Sequence, residues 1–171
     1  NYLFQHGIFY IIQCRKSKKF ITDLLNFAKN EVYMVFGKKI TIQTAGFSDI
    51  RDITEQVRKT VSQSACQAGI VTVSAIGSTA SVTTIEFEPA LVKDMQEQLE
   101  KFASRHMRSH HSQTWGDDNG FSHIRAGFMG PGITIPFTNG KPVLGTWQQI
   151  VVIDHDNRPR QRQIYIQVIG E

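Results

Sequence analysis

The segment Gly132-Ile133-Thr134-Ile135-Pro136-Phe137-Thr138-Asn139-Gly140-Lys141-Pro142-Val143-Leu144 decides how this chain folds. Apolar residues at 133, 135 and 137 alternate with small or polar ones, the period of a strand with one face buried. Asn139-Gly140 is the dipeptide that supplies two left-handed residues to a type I′ turn. The segment therefore predicts a hairpin, with strands at Ile133 to Phe137 and Val143 to Leu144. Downstream, Gln149 to Asp154 and Gln163 to Ile169 read as two more strands, with a turn at Asp156-Asn157. Upstream, Ile124 to Met129 reads as another strand.

Further upstream, the texture changes to helices alternating with strands. Ile40 and Ile42 alternate with Lys39, Thr41 and Gln43 as in a half-buried strand. A helix follows, with Asp49 or Asp52 as cap, Ile53, Val57, Val61 and Ala65 recurring every four residues, and Gly69 as a stop. Ile70 to Ile76 is rich in β-branched residues and predicts a buried strand, and Val82 to Phe87 a second one. Pro89 suits a first helical turn, and Leu91, Met95, Leu99 and Phe102 mark one face of a second helix that ends near Ser104. Two helices early and antiparallel hairpins late predict one β-rich α+β domain with a curled or half-barrel sheet.

The chain has 171 residues, 40% of them hydrophobic, which suffices for one core and is short for two. Residues 1–34 differ in texture from residues 35–171 and read as an appendage, with a short amphipathic helix expected from about Phe20 to Val32. Met34 stands just before the first strand, which raises the expectation that it is a start and that what precedes it is upstream or non-native sequence. Cys14 and Cys66 form no metal-ligand or disulfide spacing. No apolar run approaches the ~20 residues of a membrane span, so the chain reads as cytoplasmic with no membrane partner. The net charge of +4 comes with basic clusters at Arg15 to Lys19, Lys38-Lys39 and Arg158 to Arg162. Such clusters are either solvated faces or anion-binding surfaces. Nucleic acid is disfavoured, because no aromatic residue except Tyr165 interleaves with the last cluster.

Chemistry concentrates between Gly77 and Arg125. Ser109 to His123 packs three histidines and two aspartates into a polar stretch, and with His106 four of the six histidines fall within eighteen residues. Imidazoles ligate zinc, and an adjacent carboxylate ligates or orients them; the alternative is a solvated loop. Glu86 and Glu88, two apart at a strand end, can hold Mg²⁺ or share acid/base work; alternatively Glu88 caps the helix opened by Pro89. Gly77-Ser78-Thr79-Ala80-Ser81 offers hydroxyls to a phosphate without matching a P-loop. Trp147 and Cys66 read as packed residues.

The same residues carry a family resemblance. Glu86-Phe87-Glu88-Pro89 before a helix, Ser122-His123-Ile124-Arg125 with Gly130 following, Gly145-Thr146-Trp147-Gln148 and the closing Gln167-Val168-Ile169-Gly170-Glu171 are similar to the YjbQ family from about Val35 onward. The resemblance implies a mixed sheet folded into a half barrel, a homotrimer, and a pocket with a divalent metal, zinc or magnesium. It also implies a secondary thiamine-phosphate synthase activity that joins hydroxymethylpyrimidine diphosphate to thiazole phosphate. Carried onto this chain, His111, His123, Glu88 and Asp118 become the catalytic candidates and His111, His123 and Glu88 the metal ligands. Ser78, Thr79, Asn119 and Arg125 become the contacts to a small phosphorylated substrate. A non-catalytic metal- or ligand-binding homotrimer is the alternative. The chain departs from the family pattern at Gly77, where many members have histidine, and at Ile85, Phe87 and Ser109.

Overall fold

A computed structural model describes residues 33–171, and the helix expected over 20–32 lies outside them. Met34–Glu171 forms one compact unit. In chain order its elements are β1 (Met34–Thr44), β2 (Asp49–Asp52), α1 (Thr54–Gln63), β3 (Ala68–Ile76), β4 (Ala80–Ile85), α2 (Pro89–Phe102) and α3 (His110–Trp115). There follow α4 (Gly120–Met129), β5 (Gly132–Thr138), β6 (Lys141–Pro142), β7 (Gln149–Asp154) and β8 (Arg160–Gly170).

The strands form two antiparallel groups, ordered β1-β8-β3-β5-β6 and β2-β7-β4, curled into a half-barrel. In β1 and β8 the two-residue period sets the register: Ile40 lies opposite Ile164 on the inner face, Lys39 opposite Tyr165 on the outer one. The concave interior holds Val71, Val73, Ile164, Ile166 and Val168 from the larger group and Val82, Ile150 and Val152 from the smaller. Ile53, Val57 and Val61 of the α1 stripe fill the space between them. In β7 the run Ile150–Ile153 is apolar at every position because both of its faces are covered. Val151 and Ile153 pack outward, with Ile50, against Leu99, Val92 and Met95 of α2 and Met129 of α4.

The α+β class and the half-barrel stand, with differences in detail. All pairings among the described strands are antiparallel, where a mixed sheet was implied. Four helices are described rather than two. The expected strand at 124–129 is part of α4: the buried positions 121, 122, 125 and 126 follow helical spacing, and Gly130 ends the element. The polar stretch at 109–123 is mostly helical as well. Ser109 caps α3 by accepting the Ser112 N–H, and Gly116, with φ of 68°, stops it. Asp49 and Asp52 belong to β2, and Asp52 accepts the Thr54 N–H at 2.8 Å as α1 begins.

Asn139 and Gly140 both have positive φ, as the predicted turn requires. The return strand β6 is only two residues long, so Val143 and Leu144 fall beyond it. Trp147, expected in the core, is 70% exposed in the loop before β7.

Candidate functional site

Two short helices meet at their N-terminal ends. Gly120 makes this possible: a Cβ there would sit 1.8 Å from the Ser109 Oγ, so α4 can start against the cap of α3 only without a side chain. His111, on the first turn of α3, and His123, on the first turn of α4, are thereby brought face to face. Their ring centroids are 4.6 Å apart with the planes inclined at 54°. The His111 Nε2 lies 3.4 Å from Asp117 Oδ2. With its amide nitrogen turned toward Asp117, Asn119 donates to both carboxylate oxygens at 3.2 Å. Each member of the His111–Asp117 pair is a little over one third exposed, so ligands reach it.

Two cavities flank the α3–α4 junction, and neither His111 nor His123 lines them. One, of about 460 Å³, is lined by Phe47, Arg105, Met107, Ser112, Asp118 and Asn157 among others. The other, of about 400 Å³, is lined by Asp117, Asn119, Asn157, Arg158 and Arg160. A larger cavity of about 860 Å³ lies at the end of α1 and the β5–β6 turn, and no imidazole lines it. The first of the flanking cavities is walled by Phe47, in the turn Gly46-Phe47-Ser48. All three of these residues have left-handed φ, and the Phe47 N–H donates to the Asp156 carbonyl at 2.6 Å. Consecutive non-glycine residues in that region store strain that the surroundings must hold.

Beneath this surface runs a buried polar layer. Arg125 is fully buried: its Nε and Nη2 donate to the Ala103 carbonyl, Nη1 to Ser48 Oγ at 2.9 Å, and Nη2 pairs with Glu100 at 2.8 Å. Burial alone would raise the Glu100 carboxyl, but the hydrogen bonds and charges of Arg125 and Arg105 outweigh it and hold it below its ordinary range. His155, also fully buried, contacts Ser48 Oγ through Nδ1 at 3.1 Å and Ser81 Oγ through Nε2 at 3.2 Å. Ser48 Oγ accepts from Arg125 Nη1 and keeps one proton and one lone pair, so it can pair with Nδ1 in either tautomer of the ring. Burial first, then the charge of Arg125, pushes His155 down to about 4, and the ring is neutral.

A second buried set joins Asp154, Asp156, Arg162, Thr79 and Thr44. Arg162 pairs with Asp154 and donates to Thr79 Oγ1 at 2.8 Å, and Thr44 donates to Asp154 at 2.5 Å. Thr79 in turn donates to Asp156 at 3.1 Å. Burial would raise Asp156, yet the Arg160 hydrogen bond at 2.7 Å, the Asn157 N–H and Thr79 bring it below its ordinary range.

Of the residues read as site candidates, the structure brings together His111 and His123, with Asn119 bracing Asp117, while Asp118 lines the cavity of about 460 Å³, which neither histidine lines. Glu88 is elsewhere engaged. Its carboxylate accepts the Ala90 N–H at 2.8 Å and the Leu91 N–H, capping α2. Among the described residues no three His, Cys, Asp or Glu side chains converge as metal ligands, so Glu88 does not join the histidines. Ser78 is exposed, while Thr79 and Arg125 are buried and occupied by protein partners.

Asp154 reads in the sequence only as a strand end and Asp156 only as a turn residue, and neither His155 nor the Gly46–Ser48 turn stands out there. One signal was present: an apolar run buried on both faces, Ile150–Ile153, continues without a break into Asp154-His155-Asp156, so these polar residues must be buried with it.

Comparison with known proteins places these features in context. A family profile described as "UPF0047 protein YjbQ-like" matches residues 38–171. A UPF0047 protein of Archaeoglobus fulgidus is 30% identical over 131 residues, covering 77% of this chain and 99% of the relative. One from Methanothermobacter thermautotrophicus is 31% identical over 137 residues, covering 80% and 94%. Among solved structures, a YbjQ-like protein of unknown function from Sulfolobus solfataricus superposes with a TM-score of 0.77 at 31% identity, covering 82% of this chain and all of that one. A YjbQ/UPF0047-family protein from Clostridium acetobutylicum gives a TM-score of 0.70 at 28% identity, covering 77% and 98%.

Proposed function

The chain belongs to the YjbQ-like, UPF0047 family, and from that premise we propose that the His111/His123 cluster is the active centre of a transferase acting on small phosphorylated substrates. The reaction is the one the family resemblance suggests, condensation of hydroxymethylpyrimidine diphosphate with thiazole phosphate. The bond from the pyrimidine methylene carbon to the diphosphate oxygen breaks, the thiazole ring nitrogen forms the new bond to that carbon, and pyrophosphate leaves. Such a step requires neutralisation of the leaving group more than a protein nucleophile.

The observation that carries the reading is the contact between two helix-borne, partly exposed imidazoles, one of them paired with Asp117, which lines the cavity of about 400 Å³. A helical framework that presses two histidines together at an accessible surface has no evident role in the core. In this reading His111 and His123 donate hydrogen bonds to the departing diphosphate. Asp117 orients His111, and Asp118 and Asn119 shape the wall.

The donors present suit a divalent ion in kind, two imidazoles and a neighbouring carboxylate. They make up only part of a coordination shell, which suits an ion that arrives with its phosphate ligands. Zinc or magnesium held by His111 and His123 would take the place of their hydrogen bonds to the diphosphate and add positive charge at the leaving group. Pyrophosphate release from the two substrates, with and without added metal, tests the proposal, and alanine at His111 or His123 is expected to abolish it. This chemistry belongs in the cytoplasm, where no membrane association is called for. No described helix is long and apolar enough to cross a bilayer.

A second reading, a non-catalytic ligand- or metal-binding homotrimer, is favoured by Gly77. This residue replaces a histidine of many family members and has φ of +152°, a conformation a histidine would adopt only under strain. Equilibrium zinc binding without pyrophosphate release would select it.

A further inference from the structure

We propose that Arg158 and Arg160, carried by the turn between β7 and β8, form the anion-binding end of the site and take the phosphate or diphosphate group of the ligand. This rests on the functional reading above for its location, and it assigns phosphate recognition to residues other than Ser78, Thr79 and Arg125.

Three observations carry it. The two arginines, with Asp117, Asn119 and Asn157, line the cavity of about 400 Å³ that shares Asp117 with the histidine pair. The backbone of the turn is pinned on both sides. Phe47 N–H donates to the Asp156 carbonyl at 2.6 Å, and the Asn157 side chain donates to the Asp117 carbonyl at 2.7 Å. Gly46 lies so close that a Cβ there would fall 2.6 Å from the Arg158 carbonyl oxygen. On this fixed backbone Arg158 is exposed, with no ion pair or side-chain hydrogen bond among the described residues. Arg160 gives its Nε to the buried Asp156 at 2.7 Å, and among the described residues its two terminal nitrogens have no protein partner.

A solvated arginine needs no buried carboxylate to hold it. Asp156 fixes one edge of the Arg160 guanidinium and leaves the fork that binds phosphate oxygens in pairs free to do so. Asp156 is thus a positioning residue, and Thr79 and Arg162, bonded to it at 3.1 and 3.4 Å, keep it in place. The other candidate cations, Arg125 and Arg162, are buried and spent on Glu100 and Asp154. The one carboxylate in the cavity, Asp117, is paired with His111 at 3.4 Å and accepts from Asn119 at 3.2 Å.

Calorimetric titration of the whole chain with inorganic pyrophosphate at low salt tests the clamp. Arg158→Gln and Arg160→Gln are expected each to weaken binding at least tenfold, while Lys59→Gln, the same charge change on the surface of α1, leaves it within twofold. Asp156→Asn should weaken binding too, and add nothing when combined with Arg160→Gln, the signature of acting through that arginine. Arg158 is exposed and, among the described residues, makes no side-chain hydrogen bond or ion pair with the buried layer, so its variant reports on binding even if Asp156→Asn fails to fold.

Failure of the parent to bind pyrophosphate, unchanged affinity in both arginine variants, or an equal loss in Lys59→Gln would each overturn the proposal. Loss of binding in the arginine variants together with no condensation by the parent would keep the clamp and reject the synthase. Condensation with an unchanged KM in both variants would keep the synthase and reject the clamp.

Discussion

Arg125 and His155 show how single side chains hold the site from below. Every nitrogen of the Arg125 guanidinium has a partner, on Ala103, Ser48 or Glu100. Arg125→Met would remove a buried charge whose partners then lack donors, and a loss of about 3 kcal/mol in urea unfolding is expected. His155 gives a pH dependence with a definite sign. In the unfolded chain the imidazole takes its proton near 6.5, while in the folded protein it stays neutral down to about 4. Between these values the unfolded state binds more protons, so stability is highest above 6.5 and falls as the pH drops toward 4. Denaturation midpoints across that window should fall with pH, and more shallowly in His155→Gln. Asp156 and Glu100, both held low, add a further loss as the pH falls through the carboxylate range. The surface histidines were legible as a cluster, since polar residues of that kind are not required for folding. Arg125 was legible only as a residue type: a sequence shows a cation, and whether it faces a phosphate or a buried carbonyl depends on α2 ending at Ala103 directly above it.

At the level of elements, the junction of α3 and α4 sets the distance between the histidines. Gly120→Ala would place a methyl group against Ser109 and force the helices apart. A lower melting temperature and loss of turnover are expected. Gly127, on the exposed side of α4, has no atom within 4 Å of the place a methyl group would take, so Gly127→Ala should raise stability by about 0.5–1 kcal/mol through helix propensity alone. The contrast between the two variants separates packing from propensity. Glu88→Ala removes the cap of α2 and should cost about 1 kcal/mol without altering any binding at the histidines. These helices were the least legible elements. Ile124 to Met129 is short and apolar, and its strand reading lost because the covered positions come in pairs, 121–122 and 125–126, that only a helix turns to one side. Among the strands, β5 and β7 were legible nearly to the residue and β8 to within three, because alternation in β5 and β8 and the doubly buried run of β7 each leave a distinct periodicity, whereas β2, only four residues long, left none.

Within the unit Met34–Glu171, the half-barrel buries its concave side around α1, and Val35, Ile70, Ile76 and Tyr165 of the larger strand group are exposed. Exposed apolar side chains of this kind suit burial against other copies, as the homotrimer of the second reading requires. Light scattering is expected to give a mass of three chains, falling toward one in Ile70→Lys. The overall class was legible because hairpin spacing and two amphipathic stripes constrain the topology. The site was half legible, since residues far apart in sequence, Gly46 to Ser48, His111 to Asn119 and Asp154 to Arg160, meet only through the curl of the sheet.

The most direct test of the central claim, that the paired histidines are the working centre, is pyrophosphate release from hydroxymethylpyrimidine diphosphate and thiazole phosphate by the parent, His111→Ala and His123→Ala, with magnesium or zinc present. Release by the parent is expected, with a fall of at least about a hundredfold in each variant and melting temperatures unchanged because both rings are partly exposed. Release by both variants at the parental rate, or none from the parent with either metal, would contradict it.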